Sequence, residues 1–394
     1  MVHEEIAEQP FAAGGRWSQR LEELHGRIAH RFARSEARER VLRYLSGLLG
    51  RTERKNGWQL AEAIGEMDPQ GVQRLLNSAK WDADLVRDDL REYVVEHLGD
   101  DVSGVLIVDE TGFLKKGEKS VGVAPQYTGT AGDTANCQVG VFLAYSSKKG
   151  AAFIDRALYL PWEWAQDKDR RTEAGVPEEV RFTDKLRLAK GMLKRAFEAG
   201  VPAGWVVADS FYGRSHDFRG WLEERGRPYA VMVPKTNAVH YHRGHRKKIE
   251  QLVERLPEDA WALAAPAGES PDGRHPWEWA CLELCGDPEK GMGRWLLARR
   301  SSEDPEDVAF YQLYGPEGTS LAKLVGVCQK RWKVEDCFAE VKGEAGLDHY
   351  EVRRWGAWHR YVTLCLLAHV FLVVTRLATH NEEVARKKGI PSPA

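Results

Sequence analysis

Three acidic residues in this 394-residue chain stand where their carboxylates could bind metal ions. Asp109 follows the apolar run GVLIV, and Asp209 follows GWVVA. Short apolar runs of this kind predict buried strands, and adjacent strands that end on acids would bring both carboxylates to one edge of a sheet. Glu335 lies in a segment with helical spacing. Carboxylate oxygens suit Mg²⁺, and several of them converging on one small volume suit an in-line phosphoryl displacement between two metal ions.

The segment around Glu335 adds two cations. If residues 331–342 form a single helix, one stripe carries Arg331, Glu335, Phe338 and Lys342. The positive charges would favour ionised Glu335 and could hold phosphates beside the metals. Each acid also has an ordinary explanation, since an aspartate at a strand end is usually a turn former or a helix cap, and this helical spacing usually reflects surface salt bridges. The order Asp, Asp, Glu across these elements favours a joint metal site.

The elements expected to position these acids alternate between strand and helix. After a helical pattern from residue 38 to about 98, the spacing predicts strands at 104–112, 119–124, 138–145 and 152–160, a charged loop at 163–181, a helix at 182–199, a strand at 204–209, a helix at 213–225, a strand at 228–233, a β-rich segment, and helices at 319–344 and 357–378. This order predicts a mixed α/β fold with an RNase H-like core interrupted by a β-rich insertion.

The same pattern divides the chain into segments. We expect an N-terminal helical, DNA-binding domain at residues 1–100, a catalytic core at 101–233 and 319–380, a β-rich insertion at 234–318, and a tail at 381–394. Residues 1–35 are expected to dock loosely. In the first domain, Asp68-Pro69 and Asp82 predict helix starts. The two short helices between Gln59 and Ser78 suit either a helix-turn-helix or a plain three-helix bundle.

Composition sets limits on the function. The net charge of −2 means that any nucleic-acid surface must come from local patches. The six cysteines follow no disulfide framework, which indicates a reducing compartment. Cys281 and Cys285 lack the further ligands that zinc needs. The apolar run from Tyr361 to Val374 is shorter than the roughly 20 residues of a membrane span, so we expect a buried helix. There is no Walker-type phosphate loop in the sequence.

Three motifs carry a specific resemblance. VDETGFLKKG and ADSFYG resemble the first-Asp and second-Asp motifs of bacterial insertion-sequence transposases of the DDE superfamily. RWKVEDCFAEVKGEAGLDHYEVRRW resembles their third motif, including the Tyr-Arg-Glu-Lys signature of one large subgroup, and the similarity covers roughly residues 38–378. The resemblance assigns Asp109, Asp209 and Glu335 to the metal-binding triad, and Arg331 and Lys342 to the basic signature positions. Cys328 stands where the signature has its tyrosine, so DNA handling could differ from that of relatives.

The resemblance also implies an activity and its partners. It implies cut-and-paste transposition, in which end cleavage and strand transfer depend on two Mg²⁺ ions, with Mn²⁺ able to substitute. The expected partners are double-stranded DNA, as terminal inverted repeats and as target, and a second copy of the chain in a homodimer on DNA. No membrane is expected, and the location would be the cytoplasm at the bacterial nucleoid. Two alternatives stay open: a domesticated DNA-binding or accessory protein that no longer transposes, and a structure-specific nuclease on the same fold.

Several further residues are candidates for DNA contacts. Tyr212 follows the second Asp and could hold a displaced nucleotide, with plain packing as the equal alternative. Basic residues near the motifs are phosphate candidates by position: Lys115, Lys116, Lys235, Arg353 and Arg354. The basic segment at 240–248 could bind phosphate or be solvated. A tryptophan of the insertion could stack on a base, but core packing is the more ordinary role for Trp261, Trp277, Trp279 and Trp295.

Overall fold

A computed structural model describes residues 15–242, 245–263, 277–301, 304 and 307–388. The chain divides into two compact units. Unit 1 contains the described residues of Met1–Gly99, Glu110–Glu198 and Glu335–Ala394, and unit 2 contains those of Asp100–Asp109 and Ala199–Val334. These boundaries differ from the domains expected from sequence, since the N-terminal helices share unit 1 with later parts of the chain.

Unit 1 contains helices from the first, middle and last parts of the chain. Its helices are α1 (Arg16–Ile28), α2 (Ser35–Leu49), α3 (Gly57–Ala63), α4 (Gln70–Asn77), α5 (Ala83–Leu98), α6 (Trp162–Gln166), α7 (Lys168–Ala174), α8 (Lys185–Glu198), most of α13 (Lys333–Ala345) and α14 (Trp355–Lys387). The expected cap at Asp82 is present, because its side chain accepts from the backbone N–H groups of Asp84 and Leu85. The charged loop expected at 163–181 is wrong, since it contains α6 and α7.

The start of the described chain is packed and does not dock loosely as expected. Leu21, Leu24 and Ile28 form a buried stripe on α1, which is the spacing of an amphipathic helix. The Trp17 ring meets the Phe371 ring of α14 edge-on, with centroids 5.1 Å apart. α14 therefore serves as a core helix for the N-terminal region.

By length and composition α14 could cross a membrane, but its most apolar 18-residue stretch is 67% buried inside the protein. The core helix of a soluble protein can be equally long and apolar. The burial agrees with the interior helix expected from Tyr361 to Val374, although α14 is longer than predicted at both ends.

The strands of unit 1 are β2 (Ala124–Thr128), β3 (Asp133–Ser147), β4 (Gly150–Leu158) and the second half of β1 (Val105–Leu114). β3 pairs antiparallel with β2 and β4, and also neighbours β1. The strand expected at 119–124 is wrong, because β2 begins only at Ala124. β1 runs on to Leu114, so Asp109 lies in mid-strand and not at a strand end.

Unit 2 contains a mixed sheet. Its strands, in spatial order, are the first half of β1, β5 (Trp205–Ala208), β6 (Tyr229–Val233), β12 (Val308–Pro316), β11 (Met292–Arg300), β10 (Glu278–Asp287) and β9 (Ala262–Leu263). β1, β5 and β6 are parallel, and β12 pairs antiparallel with β6. The expected β-rich segment is confirmed. Its strands β9–β12 extend the core sheet, while β7 (Ala238–His242) and β8 (His245–Lys248) form a separate hairpin.

The helices of unit 2 are α9 (Ser210–Gly213), α10 (His216–Glu224), α11 (Ile249–Val253) and α12 (Leu321–Gln329). The single helix expected at 319–344 is wrong. α12 ends at Gln329, a 3₁₀ turn occupies Lys330–Trp332, and α13 begins at Lys333. Arg331 therefore lies in the 3₁₀ turn and not on α13 with Glu335.

Candidate active site

The two predicted catalytic aspartates occupy equivalent positions on adjacent parallel strands. The register of β1 and β5 pairs Val105 with Trp205 and continues to the pair Val108 and Ala208. Asp109 and Asp209 directly follow Val108 and Ala208 in the sequence, and both side chains are partly exposed. Because neighbouring strands lie about 4.8 Å apart, this register brings the two aspartates side by side in unit 2.

Asp209 also caps a helix. Its backbone is extended, and its Oδ1 accepts from the N–H groups of Phe211 at 3.0 Å and Tyr212 at 3.4 Å. The cap turns the chain sharply from β5 into α9. A Cβ at Gly213 would lie 1.8 Å from the carbonyl oxygen of Met232 on β6, so only glycine permits this close approach. The DSFYG segment is thus built to leave a strand and pack at once on the next one.

Glu335 lies in the first turn of α13 and is exposed. Further along α13, the Phe338 ring packs on Phe142 and Phe153, with centroids 5.3 and 4.7 Å apart. Glu335 belongs to unit 1, and its convergence with the aspartate pair of unit 2 stays a prediction.

Lys342 ties α13 to the second half of β1. Its Nζ donates to Thr111 Oγ1 at 2.9 Å, and burial lowers the pKa of Lys342. Thr111 is itself buried. The signature lysine therefore has a structural contact within unit 1, which holds the helix that carries Glu335 against the strand.

The donor set at the paired strands suits Mg²⁺. That ion is usually held by one or two carboxylates, with waters and substrate phosphates filling the remaining positions. Asp109 and Asp209 supply such a pair. Among the described residues, no cluster of three or more His, Cys, Asp or Glu side chains could hold a metal ion.

Three predicted phosphate candidates line one cleft in unit 1, which we call the basic cleft. Its volume is about 500 Å³. Its charged and titratable lining residues are Arg54, Lys115, Lys116, Lys119, Asp348, His349, Tyr350, Glu351 and Arg353. The sequence predicted Lys115, Lys116 and Arg353. Lys119 could have been found as part of the same lysine-rich run, but Arg54 is more than 50 residues away in sequence and gave no signal.

Lys115 is the most constrained cation of the basic cleft. Its Nζ lies 3.6 Å from the centroid of the Tyr350 ring and donates to the Tyr350 carbonyl at 2.9 Å. Burial lowers the pKa of Lys115 to about 8, although Asp348 and Glu351 act in the opposite direction. Lys115 is therefore mostly charged at pH 7 and loses its charge within a mildly alkaline range.

The remaining candidates fall into two groups. Lys235 and Arg354 are exposed. Tyr212 is fully buried, with its ring centroid 5.9 Å from that of Phe218. This environment corresponds to the packing role that was the alternative to contact with a displaced nucleotide. Arg331 is also buried and lies 4.0 Å from the Trp332 ring. Cys328, at the signature tyrosine position, is buried on α12, and burial raises the pKa of its thiol.

The tryptophans of the β-rich segment divide in the same way. Trp279 and Trp295 are buried in the sheet, as expected for core residues. Trp277 and Trp261 are partly exposed, and each is covered by a guanidinium, that of Arg299 at 3.8 Å and that of Arg300 at 4.4 Å. The described residues of the basic segment at 240–248 lie in β7 and β8.

Comparison with known proteins identifies a family for this chain. A family model described as a DDE superfamily endonuclease matches residues 27–254, which include Asp109 and Asp209. A model described as a transposase DDE domain matches residues 179–371, which include Asp209 and Glu335. A "Probable transposase for insertion sequence element IS701" of Microchaete diplosiphon is 30% identical over 196 residues, covering 49% of this chain and 48% of that protein. The chain thus spans about half the length of the curated relative that it matches.

The chain belongs to the DDE superfamily of endonucleases, because the first of these models covers more than half of it. Its relatives include an insertion-sequence transposase, so the resemblance expected from the three motifs is confirmed at the level of the family. Assignment to the subgroup with the Tyr-Arg-Glu-Lys signature stays a prediction.

Proposed function

We propose that this chain is an insertion-sequence transposase that cleaves the ends of a DNA element and joins them to target DNA. The observation that carries the proposal is the register of β1 and β5, which sets Asp109 beside Asp209 on adjacent parallel strands. Family membership supplies the reaction class. We assign Glu335 as the third carboxylate because it follows Asp209 within the residues matched by the transposase DDE domain model and lies in the first turn of α13.

Asp109 and Asp209 would hold two Mg²⁺ ions together with Glu335. When bound, such ions activate water as a nucleophile and stabilise charge on the attacking and leaving oxygens of an in-line displacement. The protein fold holds these carboxylates in position. The sheet fixes the two aspartates, the bonds to Phe211 and Tyr212 orient the Asp209 carboxylate, and contacts of Phe338 and Lys342 fix α13.

The basic cleft would contact DNA backbone. Lys115, Lys116 and Arg353 place several positive charges in one concave surface of unit 1. Phosphate contacts position DNA without reading its sequence, and they make affinity fall steeply as salt rises. We assign Lys235 and Arg354 to the same class of backbone contact, because both side chains are exposed.

The whole-protein activity is tested with labelled element ends. Purified protein is incubated with terminal inverted repeats, target DNA and Mg²⁺ or Mn²⁺, and cleaved and joined products are separated. We expect both products, and expect Asp109→Asn, Asp209→Asn and Glu335→Gln to abolish them. Asp101→Asn, an exposed acid before β1, is the matched control and should retain activity. Full activity of the triad variants would contradict the site, and cleavage without joining would indicate a nuclease.

Assembly and DNA affinity are tested separately. Joining two ends requires two active sites, so we expect a homodimer on DNA, measured by light scattering of the protein with and without an end duplex. Binding to the duplex should weaken steeply between about 50 and 200 mM salt if several phosphates are contacted. A flat salt response would contradict the role of the basic cleft while leaving the assignment of the triad intact.

A further inference from the structure

A second cavity in unit 1 is rich in arginine and shares no lining residue with the basic cleft. Its volume is about 230 Å³. Its charged and titratable lining residues are Asp84, Arg87, Arg156, Arg181, Arg195 and His359. They come from α5, β4, α8, α14 and the segment before α8. We call this site the arginine cavity.

Positive charge is in excess around the arginine cavity. Asp155 accepts from Arg87 Nη1 at 2.8 Å and from Arg195 Nε at 2.9 Å, and Asp84 accepts from Arg156 Nη1 at 2.7 Å. Burial opposes ionisation of Asp84, but the nearby arginines outweigh it and lower the pKa of Asp84 to about 2. Both carboxylates are therefore ionised at neutral pH, and they balance only part of the charge on the four lining arginines.

Two of these arginines already donate to protein acceptors. Arg87 Nε donates to Asp88 at 2.9 Å, and Asp88 is shared with Arg91. Arg181 is exposed and donates to the carbonyls of Glu178 and Val180. Arg156 and Arg195 are therefore the candidate hydrogen-bond donors to a ligand.

Arg156 is buried with its bonding incomplete. Its side chain is 1% exposed. Nε donates to Thr363 Oγ1 at 2.8 Å and Nη1 to Asp84, but Nη2 has no hydrogen-bond partner among the described residues. Buried donors almost always have an acceptor. A buried guanidinium that lines a cavity and keeps one nitrogen unbonded indicates that the acceptor is a ligand of that cavity.

Arg195 and His359 complete the wall. Arg195 is 40% exposed and contacts Asp155 through Nε, so its terminal nitrogens are placed for a ligand. His359 Nδ1 donates to the Trp355 carbonyl at 2.9 Å. Burial, together with Arg156, lowers the pKa of His359 to about 4, so the ring is neutral at pH 7 and its Nε2 is an acceptor. A protonated oxygen of free inorganic phosphate could donate to that nitrogen, whereas a DNA phosphodiester has no such proton.

We propose that the arginine cavity binds a phosphate group, with Arg156 Nη2 and the terminal nitrogens of Arg195 donating to its oxygens. Guanidinium groups match phosphate geometry through paired, charge-assisted hydrogen bonds. The cavity is smaller than the roughly 300–1,000 Å³ of pockets for drug-sized ligands, so it takes one phosphate and not a whole nucleotide. The phosphate is either the free anion or part of a DNA strand, and the proposal does not depend on the transposase assignment.

Inorganic phosphate is the first probe. Its binding to the full chain is measured by calorimetry at constant ionic strength for the unmodified protein, Arg195→Gln and Lys194→Gln. Lys194 is the matched control, because it neighbours Arg195, is 65% exposed and does not line the cavity. We expect saturable binding that weakens about tenfold in Arg195→Gln, as for loss of one charge-assisted hydrogen bond, and is unchanged in Lys194→Gln.

Three results would overturn the proposal: no saturable binding by the unmodified protein, equal affinity in Arg195→Gln, or an equal loss in Lys194→Gln. Arg156→Lys is the second variant, with circular dichroism to confirm that it is folded, and it should also weaken binding. Competition with a short duplex then identifies the source. Displacement of bound phosphate by the duplex assigns the site to a DNA strand, and simultaneous binding of both assigns it to the free anion.

Discussion

Asp209 offers the sharpest separation of a structural role from a catalytic one. Its Oδ1 caps α9, and its position beside Asp109 makes it a predicted metal ligand. Asparagine is as good an N-cap as aspartate, but it replaces a charged oxygen ligand by a neutral amide. Asp209→Asn should therefore keep the cap and lose the metal site, whereas Asp209→Ala should lose both.

The two effects have different sizes. Loss of an N-cap costs about 0.5–2 kcal/mol, and each kcal/mol lowers the unfolding temperature by about 2–4 °C in a domain of 150–250 residues. Asp209→Ala should thus unfold a few degrees earlier, and Asp209→Asn close to the unmodified protein. Metal ligation supplies several kcal/mol of transition-state stabilisation, and each 1.36 kcal/mol is tenfold in rate. Both variants should therefore lose at least about a thousandfold in end cleavage.

Ser215→Ala is the matched control for the cap. Ser215 caps α10 in the same unit, where its Oγ accepts from the Phe218 N–H at 3.2 Å. Its alanine variant should be destabilised as much as Asp209→Ala but should keep cleavage activity. Thermal unfolding and cleavage of a labelled end are measured on all four proteins. Asp209→Asn with more than about a tenth of normal cleavage would refute the catalytic role and leave Asp209 as a cap alone.

Three further outcomes are expected. Because the pKa of Lys115 is lowered to about 8, DNA affinity measured by fluorescence anisotropy should fall between pH 7 and 9, and Lys115→Arg should remove that dependence. Gly213→Ala places its Cβ against the Met232 carbonyl, so it should destabilise the fold by more than the roughly 1–3 kcal/mol of ordinary overpacking. Gly220→Ala is the control, because Gly220 has open space around it in mid-helix. A melting curve should show it to be neutral or stabilising. Phe338→Ala should cost about 3–5 kcal/mol in denaturant unfolding and reduce cleavage with it.

Local sequence patterns predicted the elements that carry the aspartates. GVLIV and GWVVA are apolar runs with glycine before them, and β1 and β5 form where those runs lie. The cap at Asp82 and helix α8 were equally readable, because a capping residue and a 3.6-residue apolar period act within a few residues of the feature that they specify. These parts of the fold depend on short-range physical chemistry.

The parts that could not be predicted depend on contacts distant in sequence. Residues 319–344 have an unbroken helical pattern, yet a 3₁₀ turn at Lys330–Trp332 separates α12 from α13. Arg331 is buried there against Trp332, and no local rule places a guanidinium in such a position. The arginine cavity was missed for the same reason, since its members come from four separated elements. Spacing along one segment cannot reveal such a site.

The motif around Asp209 would be a weak argument for catalysis if it stood alone. Each of its key residues has a local structural role: the aspartate caps α9, Tyr212 fills the core, and Gly213 permits close contact with Met232. Asp109 differs, because β1 continues for five residues beyond it, which removes the turn or helix-cap explanation expected of a strand-end acid. Asp109 is instead a partly exposed carboxylate in mid-strand, beside the acid that directly follows the parallel neighbour β5. The weight of the metal-site assignment therefore lies on Asp109.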